Sequence, residues 1–325
     1  MKNILITGIT GQDGLFLTDI LFKKYSNISI IGISRNKNLK TFEENISCFN
    51  SKYLKNIDLF NIDLTNLNEV KKLIQKYKPT EIYNLTGPSS VYESFTNDKS
   101  KKNIVDIFSN LTNSLIELEI FPNFYQASSS EMFGKNNFEF QDELTKFNPN
   151  SPYAEAKLSN HLKVVELSEK YNWRIYSGIM FNHESEFRKQ DFLFSKILDF
   201  LISNPLTQKE KLTIGSTDIV RDWSYAGDIV EGMITMTKSE LRSDFVLGSG
   251  KSTSIEEVLE TSFNFFDLNW RDYISIDNNL LRSSDPKIRI SNPKKIKKEL
   301  GWETKTSLEQ TIEKITKYKK FKLQG

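Results

Sequence analysis

Cysteine and histidine are scarce: Cys48 is the one cysteine among 325 residues, and there are two histidines. A lone cysteine closes no internal disulfide, which suits a reducing compartment. So few soft ligands offer little to a transition metal, and no metal site is expected. Missing too is any run of about 20 apolar residues of the kind that spans a bilayer. The opening MKNILITGITGQDG meets glycine too early to be the apolar core of a signal peptide. Nor does one charge dominate. Lys and Arg number 44 against 42 Asp and Glu, a formal +2, which gives no electrostatic reason to expect nucleic acid or a membrane surface as partner. No internal repeat and no low-complexity linker interrupt the chain. The expectation is a cytoplasmic protein acting on a small molecule, with room for a local basic pocket that holds a small anion.

What is present is a rhythm. Short apolar runs at 4–7, 28–33, 57–62, 81–85, 124–128 and 174–180 alternate with helical stretches, the pattern of βαβ units around a parallel sheet. After about Asn182 the rhythm weakens, and helical stretches (192–202, 255–266, 308–318) outnumber short strands at 212–214 and 245–247. This predicts an α/β, Rossmann-type doubly wound parallel sheet with a smaller, mostly helical C-terminal substrate lobe. The division is set at residues 1–180 for the cofactor domain, with 219–245 returning to it, and 181–325 for the lobe. Ser254-Ile-Glu-Glu257 is a capping box and marks a helix start.

Between the first strand and the first helix lies Gly8-Ile9-Thr10-Gly11-Gln12-Asp13-Gly14. Glycines in that setting let backbone turn sharply and approach a pyrophosphate at the positive end of a helix; the same residues would also make an ordinary strand-to-helix turn. An NAD site would place Asp or Glu at the end of the second strand, but here Ser34-Arg35-Asn36-Lys37 follows. A guanidinium there suits the 2′-phosphate of NADP, so NADP is expected ahead of NAD; a solvated loop arginine is the other reading.

Ser151-Pro152-Tyr153-Ala-Glu-Ala-Lys157 supplies a helix cap, a first-turn proline, and Tyr and Lys four residues apart on one helical face. An ammonium beside a phenol favours the phenolate and makes it usable as a base near neutral pH. Ser129 lies about two dozen residues upstream, in QASSSEMFG (126–134), at the end of a strand expected to be central. From there it would donate to the substrate oxygen that Tyr153 deprotonates.

With these motifs in place the chain resembles the extended short-chain dehydrogenase/reductases, and among them the GDP-mannose 4,6-dehydratase family. The resemblance runs nearly end to end. It rests on GITGQDG (8–14), EIYNL (81–85), QASSSEMFG, SPYAEAK (151–157), FNHES (181–185), RDW (221–223) and Arg282 set 19 residues ahead of Gly301. FNHES discriminates best. The resemblance implies oxidation of a sugar's C4 hydroxyl, removal of the acidified C5 proton by Glu131 as the C6 hydroxyl leaves, and return of the hydride to C6. Ser129, Glu131, Tyr153 and Lys157 would then be catalytic. Cofactor contacts are implied at Gly8, Ile9, Thr10, Gly11, Gln12, Asp13, Gly14, Arg35, Asp63, Leu64, Leu85, Thr86, Ser89, Tyr153, Lys157, His183 and Arg188. Substrate contacts are implied at Ser89, Ser129, Glu131, Asn182, Lys196, Arg221 and Arg282.

Several positions depart from the family's pattern. Arg35-Asn36 replaces paired arginines, and the following loop (37–50) differs from the one that helps build tetramers, so a homodimer or a homotetramer is expected. Thr86-Gly87-Pro88 replaces a Gly/Ala-Ala-Gln run, Glu186 and Phe187 replace Pro and Arg, Ser195 replaces an arginine, and Ser100 replaces a tyrosine. The substrate implied is GDP-mannose, or another nucleotide-hexose such as a GDP-heptose. The rival readings are a nucleotide-sugar 4-epimerase or 4-keto reductase on the same scaffold, and a non-catalytic NADP sensor, which would have no need of Glu131, Tyr153 and Lys157 together.

Overall fold

The computed structural model describes residues 2–35, 39–87, 94–95, 98–135, 139–203, 211–280 and 286–324. Two compact units divide the chain: 1–134, 146–180 and 230–245 form the first, and 135–145, 181–229 and 246–325 the second.

The first unit winds β1 (Lys2–Thr7), α1 (Gln12–Lys24), β2 (Ile28–Ile33), α2 (Lys40–Asn50), β3 (Ile57–Phe60), α3 (Leu67–Tyr77), β4 (Glu81–Asn84), α4 (Asp98–Glu117), β5 (Asn123–Ser129), α5 (Pro152–Tyr171) and β7 (Ile175–Met180). These strands pair in parallel in the order β3-β2-β1-β4-β5-β7. A seventh, β12 (Phe245–Leu247), begins at this unit's last residue. β1 and β2 carry near-continuous apolar runs, as buried parallel strands do where helices cover both faces. Local chemistry sets the helix ends. Asn66 caps α3 by accepting from the N–H groups of Asn68 and Glu69, and Lys78 closes it in the left-handed region. Ser151 caps α5 with Pro152 in its first turn, and left-handed Asn172 ends it. One core cluster joins Leu5, Ile31, Ile82 and Phe124 of the sheet to Val70, Ile74, Phe108, Leu111 and Val164 of the helices; burying each such side chain stabilises by roughly 1.5–3 kcal/mol.

The sequence reads a loop over 37–50, but residues 40–50 are helix α2. Phe42 and Ile46, one turn apart, are buried, and Phe49 one turn further meets Phe16 of α1 edge-on. A helical apolar stripe thus lies inside a polar stretch.

The second unit holds three small sheets: β13 (Thr253–Ser254), β10 (Val220–Arg221), β15 (Ile288–Ser291) and β6 (Phe140–Gln141) in that order; β8 (Asn182–Glu184) with β11 (Trp223–Tyr225); and β9 (Leu212–Ile214) with β14 (Ile274–Ile276). Its helices α6 (Leu193–Ser203), α8 (Ile255–Asn264) and α10 (Leu308–Gln324) bury Ile197, Leu198, Val258, Leu259, Ile312 and Ile315 in one cluster. α7 (Ala226–Lys238) and α9 (Lys294–Leu300) complete the described helices. Among the described residues no helix is long and apolar enough to cross a membrane.

Candidate active site

In the order β3-β2-β1-β4-β5-β7, the strand sequence reverses direction between β1 and β4, and the crevice at the strands' carboxyl ends is where open α/β sheets take ligands. The glycine loop leaves β1 there. Gly8 has φ +71° and sits against the backbone of Leu85, at the end of β4, where an added Cβ would lie 3.2 Å from the Leu85 carbonyl. Gly11 donates to the Gly8 carbonyl at 3.0 Å and caps α1 without a side chain. A Cβ on Gly14 would come within 2.5 Å of the Ile9 backbone, so only glycine lets α1 pack this close. A cradle that side chains would fill, at the start of a 13-residue helix, fits the pyrophosphate of a dinucleotide.

Beside this loop, Thr10 Oγ1 and Ser34 Oγ are 3.0 Å apart at the end of β2, and the next residue, Arg35, is exposed. The Asp63 carboxyl is held below the usual carboxylate range, chiefly by the backbone N–H and then the hydroxyl of Thr65, with the Arg35 charge a weaker contribution. Leu64 is buried in the core cluster, so only its backbone can meet a ligand. Ser89 and Arg282 lie outside the described residues.

Ser129 is the last residue of β5 and the cap of a 3-10 turn, Ser130–Phe133. Its Oγ accepts from the Glu131 N–H at 3.2 Å, which puts the serine and the half-buried carboxylate on one short turn. On α5, Tyr153 packs with Ile104 and Ala156 and is 8% exposed. Lys157 Nζ lies 5.6 Å from the Tyr153 ring centroid and donates to the Ala127 carbonyl at 2.8 Å. Burial pulls the Lys157 pKa down to about 8, against the Asp13 charge, which acts to raise it. The lysine thus grips β5 two residues before Ser129.

Sequence reading missed a buried polar chain that ends on the same carbonyl. The Thr86 N–H donates to Thr7 Oγ1, Thr7 to Asn84 Oδ1, Asn84 to Gln126 Oε1, and Gln126 to the Ala127 oxygen that also receives Lys157. Its only sequence signal was polar residues inside otherwise apolar strands.

In the second unit β8 pairs with β11, placing Asn182 opposite Trp223. His183 is buried, and Nδ1 lies 2.7 Å from the Phe181 carbonyl, an acceptor, so this nitrogen carries the proton. Arg188 pairs with Glu184 at 3.4 Å and covers the Phe192 ring, 3.5 Å from its centroid. Lys196 is exposed on α6. Arg221, 5% exposed, donates from Nη1 to the carbonyls of Val220 and Lys287. Glu186 accepts from the Tyr225 hydroxyl, and Phe187 meets Tyr318 of α10 edge-on, so these two departures from the family pattern brace the unit's interior. Gly248-Ser-Gly-Lys-Ser252 looks like a phosphate loop, but buried Asp222 already fills it, accepting from the N–H groups of Ser249 and Gly250 and from the Ser249 and Ser291 hydroxyls. Among the described residues no group of three His, Cys, Asp or Glu could hold a metal.

The family model for GDP-mannose 4,6 dehydratase matches residues 5–315. GDP-mannose 4,6 dehydratase 2 of Arabidopsis thaliana is 34% identical over 318 residues, 96% of this chain and 85% of its own. The GDP-mannose 4,6 dehydratase of Dictyostelium discoideum is 34% identical over 340 residues, 97% of this chain and 94% of its own. The crystal structure of dTDP-glucose 4,6-dehydratase from Bacillus anthracis, in complex with NAD, superposes with a TM-score of 0.82 over 99% of this chain and 97% of that one. At 18% identity it speaks to the fold alone. Identity of 34% sustained along almost the whole chain, together with a match from residue 5 to residue 315, leaves one conclusion: this chain belongs to the GDP-mannose 4,6-dehydratase family.

Proposed function

We propose that the protein dehydrates a GDP-hexose, GDP-mannose first among them, to the 4-keto-6-deoxy sugar and water. The observation that carries this reading is the grip of Lys157 on the Ala127 carbonyl. It brings the helix of Tyr153 to the strand end where Ser129 and Glu131 share a turn.

A nicotinamide cofactor bound at the glycine loop would accept a hydride from C4 and deliver it to C6. The residues suited to hold it are Gly8 to Gly14 at the pyrophosphate, Arg35, Asp63 and the Leu64 backbone on the adenosine side, Leu85 and Thr86, and Tyr153 and Lys157; the family resemblance adds His183 and Arg188. We take the cofactor to be NADP, because the exposed Arg35 follows β2 with no carboxylate at 34 or 35.

The chain's own residues handle protons. Ser129 donates a hydrogen bond to the C4 oxygen while Tyr153, as phenolate beside the Lys157 ammonium, takes the hydroxyl proton. Once C4 is a ketone the C5 proton is acidic; Glu131 removes it, the C6–O bond breaks, and that proton leaves with the hydroxyl as water. The hydride returned to C6 is matched by one proton at C5, which balances the proton Tyr153 took from the C4 hydroxyl, so the sugar has lost H2O with no net oxidation. Asn182, Lys196, Arg221 and Arg282 are assigned to the GDP-sugar, since guanidinium pairs suit a diphosphate. The working assembly is taken as a homodimer or homotetramer; Leu162 and Val165 are exposed on α5, where a second copy would cover them.

The test is to incubate the pure protein with GDP-, CDP-, UDP- and dTDP-sugars, each with NADP or NAD, and weigh the products. Loss of one water from GDP-mannose, faster with NADP, is expected. Product of unchanged mass with inverted C4 would assign a 4-epimerase, and no turnover of any sugar would assign a sensor.

A further inference from the structure

The turn that carries Glu131 rests on an aromatic ladder. Phe133, its last residue, is fully buried and stacks on Phe147, ring centroids 5.3 Å apart and planes 25° from parallel. Phe147 in turn meets the His161 ring edge-on at 5.1 Å and 72°. His161 is anchored: its Nδ1 lies 2.8 Å from Ser177 Oγ on β7, its Nε2 lies 3.5 Å from an Asp244 carboxylate oxygen, and it is 2% exposed. It sits on α5, the helix of Tyr153 and Lys157. Backbone contacts lock the same joint. The Asn148 N–H donates to the Met132 carbonyl at 3.0 Å, the Gly134 N–H returns to the Glu131 carbonyl at 3.0 Å, and Gly134 has φ +58°. A Cβ at Gly134 would fall 1.7 Å from the Asn148 carbonyl oxygen.

We propose that Phe147 is a positioning residue for Glu131: wedged between Phe133 and His161, it sets the 3-10 turn against the catalytic helix and so aims the carboxylate relative to Tyr153. The proposal rests on the reading of Glu131 as the C5 base. Aromatic pairs favour particular stacked and edge-on geometries beyond what area burial alone gives, and a reacting group displaced by about 1 Å loses up to about a hundredfold in rate. Phe147 itself is only half buried, so its truncation removes less buried surface than truncation of Phe133 would.

Misplacing the C5 base slows elimination but leaves oxidation at C4 intact, and this gives a readout that general destabilisation would not move. With GDP-mannose and NADP as probes, Phe147→Ala is expected to lower kcat roughly tenfold or more. Reduced cofactor should accumulate at 340 nm during turnover, KM and cofactor affinity should stay within about twofold, and Phe147→Tyr should restore the rate. Turnover by Phe147→Ala within about twofold of wild type would overturn the proposal. So would a loss of rate with no accumulated reduced cofactor, because both steps would then have slowed alike. Glu131→Gln is the reference: if it turns over at the wild-type rate, the assignment of the base fails, and the proposal with it.

Discussion

On the proposed mechanism, Lys157 sets the pH window of the site. Its folded-state pKa is about 8, below the ordinary 10.5, because burial disfavours the ammonium. Below pH 8 both folded and unfolded chains hold the proton, and the cost of burying the charge is fully present. Between about 8 and 10.5 the unfolded chain binds more proton than the folded one, so this group's contribution to stability rises with pH. In the proposed mechanism activity runs the other way, since Tyr153 acts as a base beside that ammonium. We expect kcat/KM to fall about tenfold per pH unit above about 8, measured in a buffer series with the unfolding midpoint followed alongside; a flat profile to pH 10 would remove the ammonium from the mechanism. For Glu131, Gln is near-isosteric but cannot accept the C5 proton. Glu131→Gln should keep cofactor and substrate affinities and lose about 10²–10⁴ in dehydration rate. Arg35→Ala tests cofactor choice: losing one charge-assisted contact of about 1.5–3 kcal/mol should weaken NADP roughly ten- to a hundredfold and NAD hardly at all, by fluorescence titration. Equal losses for both would mark Arg35 as a solvated side chain.

Helix α8 tests the reading of elements. Ser254 Oγ accepts from the Glu257 N–H at 3.1 Å while Glu257 accepts from the Ser254 N–H at 2.6 Å, the reciprocal box that the sequence Ser-Ile-Glu-Glu announces. Ser254→Ala should cost about 1 kcal/mol in urea unfolding and leave kcat unchanged; a loss under a few tenths would mean the exposed cap is replaced by water. Elements of this kind are legible because their cause is local. Strand β2 falls at the 28–33 expected from its apolar run, and β9 and β12 fall at 212–214 and 245–247. Helix α2 was legible in principle, since Phe42, Ile46 and Phe49 hold a helical spacing, but the surrounding Lys, Asn and Glu outweighed it. The two-residue strands β6, β10 and β13 were not, because two residues cannot display a period. The Phe133–Phe147–His161 ladder was hidden for a different reason: its rungs are 14 residues apart in sequence, and only packing shows which aromatics meet.

For the molecule as a whole, the glycine loop, Leu85, Ser129 and Met180 are scattered along 180 residues, yet the parallel order β1-β4-β5-β7 ends all of them at one edge of one sheet. The motifs could be read from spacing because each is a local device: a turn, a cap, a one-turn Tyr-Lys pair. The polar chain from Thr7 through Asn84 and Gln126 to the Ala127 carbonyl could not, since it exists only once β1, β4 and β5 are neighbours. On the proposed reading, that edge carries a proton-handling set one member larger than an oxidation at C4 requires. In the roles proposed above, Ser129, Tyr153 and Lys157 would suffice for a reductase or an epimerase, whereas Glu131, tied to Ser129 by the shared turn, would have work only if C5 is deprotonated. This surplus gives the last prediction, which concerns where a hydride ends. With GDP-mannose deuterated at C4, the label should appear at C6 of the same sugar, and cofactor should be needed only in catalytic amount with no net change in the reduced form. NMR of the product and absorbance at 340 nm would be followed together. A 4-epimerase would keep deuterium at C4, and a reductase would consume one reduced cofactor for each sugar converted. Either result would leave Glu131 without a proton to take and would move the chemistry of this chain away from elimination.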